Sequence, residues 1–213
     1  MSDEQETNAL RIAGELNGLL AQVGQSELEE PTAARFASYL SLLMRWNLRV
    51  NLTAIRDEAG ILSRHFVESI VCARALPPGI ETLLDLGSGA GFPGIPIALC
   101  RPEIRVTLAE SQGKKAAFLR EAGRSIPVSV EVHGGRAEEL REGFDCVTLR
   151  AVDRMPEAVD VATHLISPRR WIALLTTRES LPELILGRVE FEWADAIRLP
   201  GGSRVLAFGQ KRD

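Results

Sequence analysis

DLGSGAGFPGIP, Asp85 to Pro96, sets an acidic residue, three closely spaced glycines and a helix-starting proline at the end of the apolar run Thr82-Leu83-Leu84-Asp85-Leu86. A short apolar run bounded by turn residues suits a buried parallel strand, and Ile95-Pro96-Ile97-Ala98-Leu99 restarts the chain as a helix with Pro96 near its first turn. Strand, glycine turn, helix is the order of a cofactor-binding turn. Gly87, Gly89 and Gly91 supply positive φ and remove the Cβ atoms that would hold a ligand away from the backbone, while the helix start offers unpaired N–H groups.

Two cofactors compete for such a turn. Gly89, Gly91 and Gly94 fit G-x-G-x-x-G, with Glu110 about twenty residues on, as a dinucleotide site requires. Asp85, two residues before Gly87, argues the other way, because a carboxylate there repels a pyrophosphate resting on the helix N-terminus. S-adenosylmethionine carries no phosphate, and its cationic amino and sulfonium groups and its ribose diol favour acidic residues such as Asp85 and Glu110. The methyl donor is the preferred cofactor, with an NAD-dependent oxidoreductase as the alternative.

At 213 residues and 45% hydrophobic, with mean hydropathy near zero, the chain can bury a substantial core. No apolar stretch reaches the roughly 18 residues of a membrane span, and the polar start MSDEQETN lacks a signal peptide's basic and apolar regions. A cytoplasmic protein with no membrane partner is expected. Cys72, Cys100 and Cys146 are odd in number, widely spaced and set in apolar contexts, which points to core packing rather than disulfides or a metal site. The net charge of −4 is unevenly spread: Met1 to Glu30 holds seven acidic residues and one basic, whereas Pro31 to Arg124 holds twelve basic and eight acidic. A local basic face for nucleic acid is thereby permitted.

Leu10, Leu16, Leu19, Leu20 and Val23 predict a first helix ended by Gly24, and Phe36, Tyr39, Leu40, Leu43 and Met44 a second. Asp57 is the expected N-cap of a third, in which Ile61, Leu62, His65, Phe66, Ser69 and Ile70 share a face before Pro77-Pro78-Gly79. Residues 1–76 thus read as a helical extension and 77–213 as an α/β domain, the two packed as one unit. Beyond the glycine turn the expected order is strand Arg105–Glu110, helix Gln112–Arg124, strand Val128–His133, strand Phe144–Arg150, helix Ala158–Ile166 and strand Trp171–Thr176. Glu190–Arg198 and Arg204–Gly209 add a final pair around Pro200-Gly201-Gly202. Seven strands ending in a hairpin-like pair, the last antiparallel, match a class I methyltransferase better than a plain Rossmann fold.

Several blocks occur in order: Asn47 with Asn51-Leu52-Thr53, Arg64-His65 with Glu68-Ser69, DLGSGAGFPGIP, Glu110-Ser111 with Lys114-Lys115 and Phe118-Leu119, Gly135-Arg136-Ala137-Glu138-Glu139, and Arg150-Ala151. Together they resemble the small-subunit ribosomal RNA methyltransferase G family, also called glucose-inhibited division protein B. The resemblance implies methylation of N7 of a guanine in the 530 loop of bacterial 16S rRNA, with S-adenosylmethionine as donor. It puts Gly87 and Phe92 beside the methionine and sulfonium, Ala137 and Glu138 at the adenine, and Arg150 near the donor's polar end. With Asp85, Gly89 and Glu110 these make up the expected donor site.

Arg64, His65, Lys114, Lys115 and Arg204 are the expected RNA contacts, since phosphate recognition needs cations around the donor. The expected partner is 16S rRNA or the small ribosomal subunit, met by a monomer. Where the family often carries a lysine and a glycine after the fifth strand, this chain reads Leu174-Leu175-Thr176-Thr177. No residue is expected to act as a base. A non-catalytic RNA-binding protein is the alternative outside enzymes.

Overall fold

A computed structural model describes residues 3–140 and 143–213. The apolar run before the glycine turn is β1 (Thr82–Leu86), followed by β2 (Arg105–Ala109), β3 (Val130–His133), β4 (Phe144–Arg150) and β5 (Ile166–Thr177). β6 (Phe191–Trp193), β7 (Ile197–Arg198) and β8 (Arg204–Lys211) complete the sheet. Among the described residues the strand order is β3-β2-β1-β4-β5-β8-β6, with β7 also paired to β8. β1 to β5 are parallel, and β8 runs antiparallel to β5, β6 and β7.

This is the class I methyltransferase arrangement that the sequence predicts, with one difference. The expected strand Glu190–Arg198 is two short strands, because after Ala194 donates to the Phe208 carbonyl the chain leaves the ladder at Asp195-Ala196. Aspartate is a poor strand former, which suits a break there.

Helices α1 (Asp3–Gln22) and α2 (Glu30–Asn47) lead the chain. α1 buries Ile12, Leu16 and Leu20, four residues apart on one stripe. Leu10 and Val23, expected on that stripe, are 60% and 37% exposed. Leu10 stands two residues from Ile12, on the far side of the helix, and Val23 follows its last turn. α2 buries Phe36, Tyr39, Leu40 and Leu43 as expected.

The third helix starts where predicted, with the Asp57 carboxylate accepting from the Gly60 N–H at 2.7 Å. It is α-helical only over Glu58–Gly60 (α3), becomes a π-helix over Ile61–Phe66 and returns to α over Val67–Ala75 (α4). A π-helical turn holds more residues than an α turn, so successive side chains fan out less around the axis.

α5 (Gly94–Cys100) and α6 (Gly113–Ser125) lie with these N-terminal helices on one face of the sheet, and α7 (Met155–Leu165) and α8 (Leu181–Ile185) on the other. The strands alternate accordingly: Leu83, Ala173 and Leu175 join the first core, Leu84, Leu86, Ile172 and Leu174 the second. Ile12, Leu16, Phe36 and Leu43 belong to the same apolar cluster as Phe118, Leu119 and Leu206. No described helix is long and apolar enough to cross a membrane. The three cysteines are free, and burial pushes Cys72 up to about 12 and Cys100 up to about 11.

Candidate active site

The parallel strands β1, β2 and β4 end at one edge of the sheet, the side on which open α/β sheets bind ligands. Two cavities open there and share Gly87, Glu110, Ser111, Val152 and Asp153 as common wall. The smaller, about 270 Å³, runs past Ala137, Glu138 and Val161. The larger, about 570 Å³, reaches Thr53, Arg64, His65, Phe92, Lys115, Arg150 and Arg204.

The glycine turn between them has the positive φ values expected, +72° at Gly87, +57° at Gly89 and +92° at Gly91. The three glycines nonetheless serve different ends. A Cβ at Gly89 would meet nothing nearer than the Gly87 carbonyl at 3.8 Å, whereas at Gly91 it would lie 2.5 Å from Ile95 and 2.9 Å from the Tyr39 hydroxyl. Gly89 thus keeps room at the cavity, Gly91 lets the turn pack against Ile95 of α5 and Tyr39 of α2, and Gly94 lets the start of α5 pack on Asp85 and Leu108 of the sheet. Tyr39 donates its hydroxyl to the Ala90 carbonyl, which fastens the turn to α2.

Asp85 stands elsewhere than expected. Between Leu84 and Leu86 on a strand it projects to the opposite face, wholly buried beneath the turn and outside both cavities. It accepts from the Gly94 N–H at 3.1 Å and the Thr148 hydroxyl at 2.9 Å. Desolvation pushes its carboxyl up to about 6, although these bonds and Arg150 favour the ionised form. Its carboxylate satisfies the first N–H of α5 and lines neither cavity, a supporting place beneath the turn rather than the expected one beside the donor.

Glu110 lies at the junction of the cavities, accepting from the Gly89 N–H at 2.9 Å and the Gln112 N–H at 2.7 Å. Two N–H groups of the turn region are therefore already held by internal carboxylates, at Gly89 and Gly94. A pyrophosphate would need such groups free and would face Glu110, so the turn is unsuited to a dinucleotide. Open space over Gly89, a carboxylate with further lone pairs at the junction and two joined cavities fit S-adenosylmethionine.

Arg150, at the end of β4, donates to Glu68 at 2.7 Å and to the Arg64 carbonyl at 2.8 Å, leaving its buried Nε–H without a partner. Arg204, opposite Thr177 on the neighbouring strand, reaches the same Glu68 oxygen at 3.1 Å. β5 ends in Thr176-Thr177, and Arg204 supplies a cation at that end of the sheet. Asn47 ties down the loop on the other side: its Oδ1 accepts from the Leu52 and Thr53 N–H groups and its Nδ2 donates to the Thr53 and Ile55 carbonyls.

Of the expected donor residues, Gly87, Glu110, Ala137 and Glu138 line the smaller cavity, and Gly87, Gly89, Phe92, Glu110 and Arg150 the larger. Of the expected RNA contacts, Arg64, His65, Lys115 and Arg204 line the larger cavity, while Lys114 is exposed outside it. Consecutive Arg64 and His65, both on the π-helix, line the same cavity. Sequence reading gave no role to Glu68, Thr53, Val152 or Asp153. The first two stand inside the quoted blocks. The last two follow Arg150-Ala151 at a strand end, where position alone marks them.

Residues 32–197 match the family model described as rRNA small subunit methyltransferase G. The chain is 43% identical over 155 residues to the ribosomal RNA small subunit methyltransferase G of Xanthomonas campestris pv. campestris strain B100, covering 71% of this chain and 70% of that protein. It is 41% identical over 165 residues to the protein of that name from Xanthomonas euvesicatoria pv. vesicatoria strain 85-10, covering 76% and 77%. Among solved structures, an O-methyltransferase from Bacillus cereus in complex with SAH superposes with a TM-score of 0.60 at 19% identity, over 82% of this chain and 91% of that one. That likeness shares the fold.

Proposed function

The chain belongs to the rRNA small subunit methyltransferase G family, and on that premise we propose that it methylates N7 of a guanine in the 530 loop of bacterial 16S rRNA, with S-adenosylmethionine as donor. The family match across residues 32–197 carries this reading. The joined cavities support it by offering one chamber to the adenosine and a larger one to the methionine and the target base.

In this reading Glu110 accepts from the ribose hydroxyls, Ala137 and Glu138 border the adenine, and Gly87 and Gly89 give the donor room at the backbone. Phe92 shields the sulfonium. Arg150, on the wall of the larger cavity, lends its positive charge to the donor's carboxylate. Arg64, Lys115 and Arg204 take RNA phosphates, with Lys114 contributing from outside the cavity. Residues 1–76 and 77–213 act as one unit, since the helices and the sheet share an apolar cluster. The protein works as a single chain.

When bound, the donor would supply an activated methyl group to the N7 lone pair, the carbon–sulfur electron pair staying with sulfur and the positive charge going to the purine, so that no proton would have to leave and no residue is assigned as a base. The protein's task is alignment, which can lower the barrier by up to roughly 7–11 kcal/mol. Single-turnover transfer at saturating donor and RNA is therefore expected to stay nearly flat from about pH 6 to about pH 9. The decisive test is incubation with unmethylated 16S rRNA or 30S subunits and mass-spectrometric mapping of the product. A methyl group at a different base, or none on rRNA, would refute the assignment.

A further inference from the structure

His65 lies on the π-helix, half-buried, and lines the larger cavity. One face of its imidazole stacks on Phe92, with ring centroids 4.6 Å apart and 23° between the planes. Nε2 is 2.6 Å from the Thr53 hydroxyl, and Nδ1 is buried without a hydrogen-bond partner. Neither nitrogen is thus offered to the cavity. What the ring can offer is its carbon edge and its second face.

Burial, reinforced by Arg150, Arg204 and Arg64, pushes the His65 pKa down to about 3, so the ring is neutral at physiological pH. A neutral flat ring, backed by a second aromatic and pinned at its edge, suits stacking of a splayed-out nucleobase better than hydrogen-bond readout. We propose that His65 is the stacking platform for the target purine in the larger cavity, a role that rests on the rRNA methyltransferase reading above. Neutrality fits this role, since N7 methylation leaves positive charge on the purine and an imidazolium would repel it. Arg64 and Lys115 on the same wall are placed for the flanking phosphates. Because stacking tolerates any base, His65 governs how firmly the purine is held rather than which purine is chosen.

The test compares His65→Phe, His65→Tyr and His65→Gln in single-turnover transfer to 16S rRNA, with donor affinity by calorimetry and melting temperatures measured alongside. The two aromatic variants should keep the half-saturating RNA concentration within about threefold of wild type. His65→Gln, polar but without a ring, should raise it by roughly 5- to 150-fold, the range for one stacked base. All three should keep donor affinity within about twofold. A folded glutamine variant that matches wild type while both folded aromatic variants fail would make His65 a hydrogen-bonding group and overturn the proposal. Parallel loss of donor affinity in all three would also overturn it, by assigning the ring to the donor. Failure of the wild-type protein to methylate rRNA, with donor binding intact, would instead sink the functional reading before any variant is compared.

Discussion

Asp85 carries a proton more tightly in the folded chain than in the unfolded one, because burial outweighs the bonds from Thr148 and Gly94. Its contribution to stability is thus present below the ordinary value of 3.8 and lost as pH rises through about 6. The difference is on the order of 3 kcal/mol. Asp85→Asn keeps an acceptor for the Gly94 N–H and has no charge to desolvate. It should gain on wild type between about pH 4 and about pH 7 in denaturant unfolding followed at each pH, and parallel profiles would show that ionisation there is free of cost. Glu68 is a buried carboxylate shared by Arg150 and Arg204. Glu68→Ala strands both guanidiniums and should destabilise the protein by about 3–5 kcal/mol in urea titration, with Glu68→Gln milder.

At the level of elements, the glycine turn separates two effects that one motif blends. Gly91→Ala drives a methyl group into Ile95 and Tyr39 and should lower the melting temperature sharply. Gly89→Ala meets open space and should cost only the roughly 1–2 kcal/mol of a left-handed backbone. Its methyl group projects into the cavity proposed for the donor, so calorimetry should show donor affinity down by about tenfold or more; unchanged affinity would move the donor off Gly89.

The strand, turn and helix around Gly89 were legible in the sequence because glycine and proline act on their own backbone. The alternation Leu84, Asp85, Leu86 puts Asp85 on the other face of the strand from its neighbours, a step the sequence reading did not take when it set Asp85 beside the donor. What covers it was not legible, since Thr148 lies 63 residues on. The π-helix left no local sign either: Phe66 packs on Phe36, Tyr39 and Phe92, partners from two other parts of the chain. Glu68 was visible as a residue but had no role until Arg150 and Arg204 met over it.

Across the whole molecule, the sum of charges said little about where RNA would lie, and folding narrows the candidates. Lys115 faces the larger cavity while its neighbour Lys114 does not. Lys115→Ala should lower the salt slope of RNA binding by about 0.7 for a single strand or about 0.9 for a duplex, with donor affinity preserved. A slope unchanged by Lys115→Ala but reduced by Lys114→Ala would turn the docking surface toward the outer face of α6.

β8 is the last described strand in sequence, yet it is inserted between β5 and β6 and brings Arg204 to Glu68. Ribosomes build proteins from the N-terminus, so α1 through β7 leave the exit tunnel before Arg204–Lys211. Until those residues emerge, β5 has an unpaired side, Glu68 has one guanidinium instead of two, and the larger cavity lacks a wall residue. The larger cavity is therefore complete only once the last described strand has paired along β5.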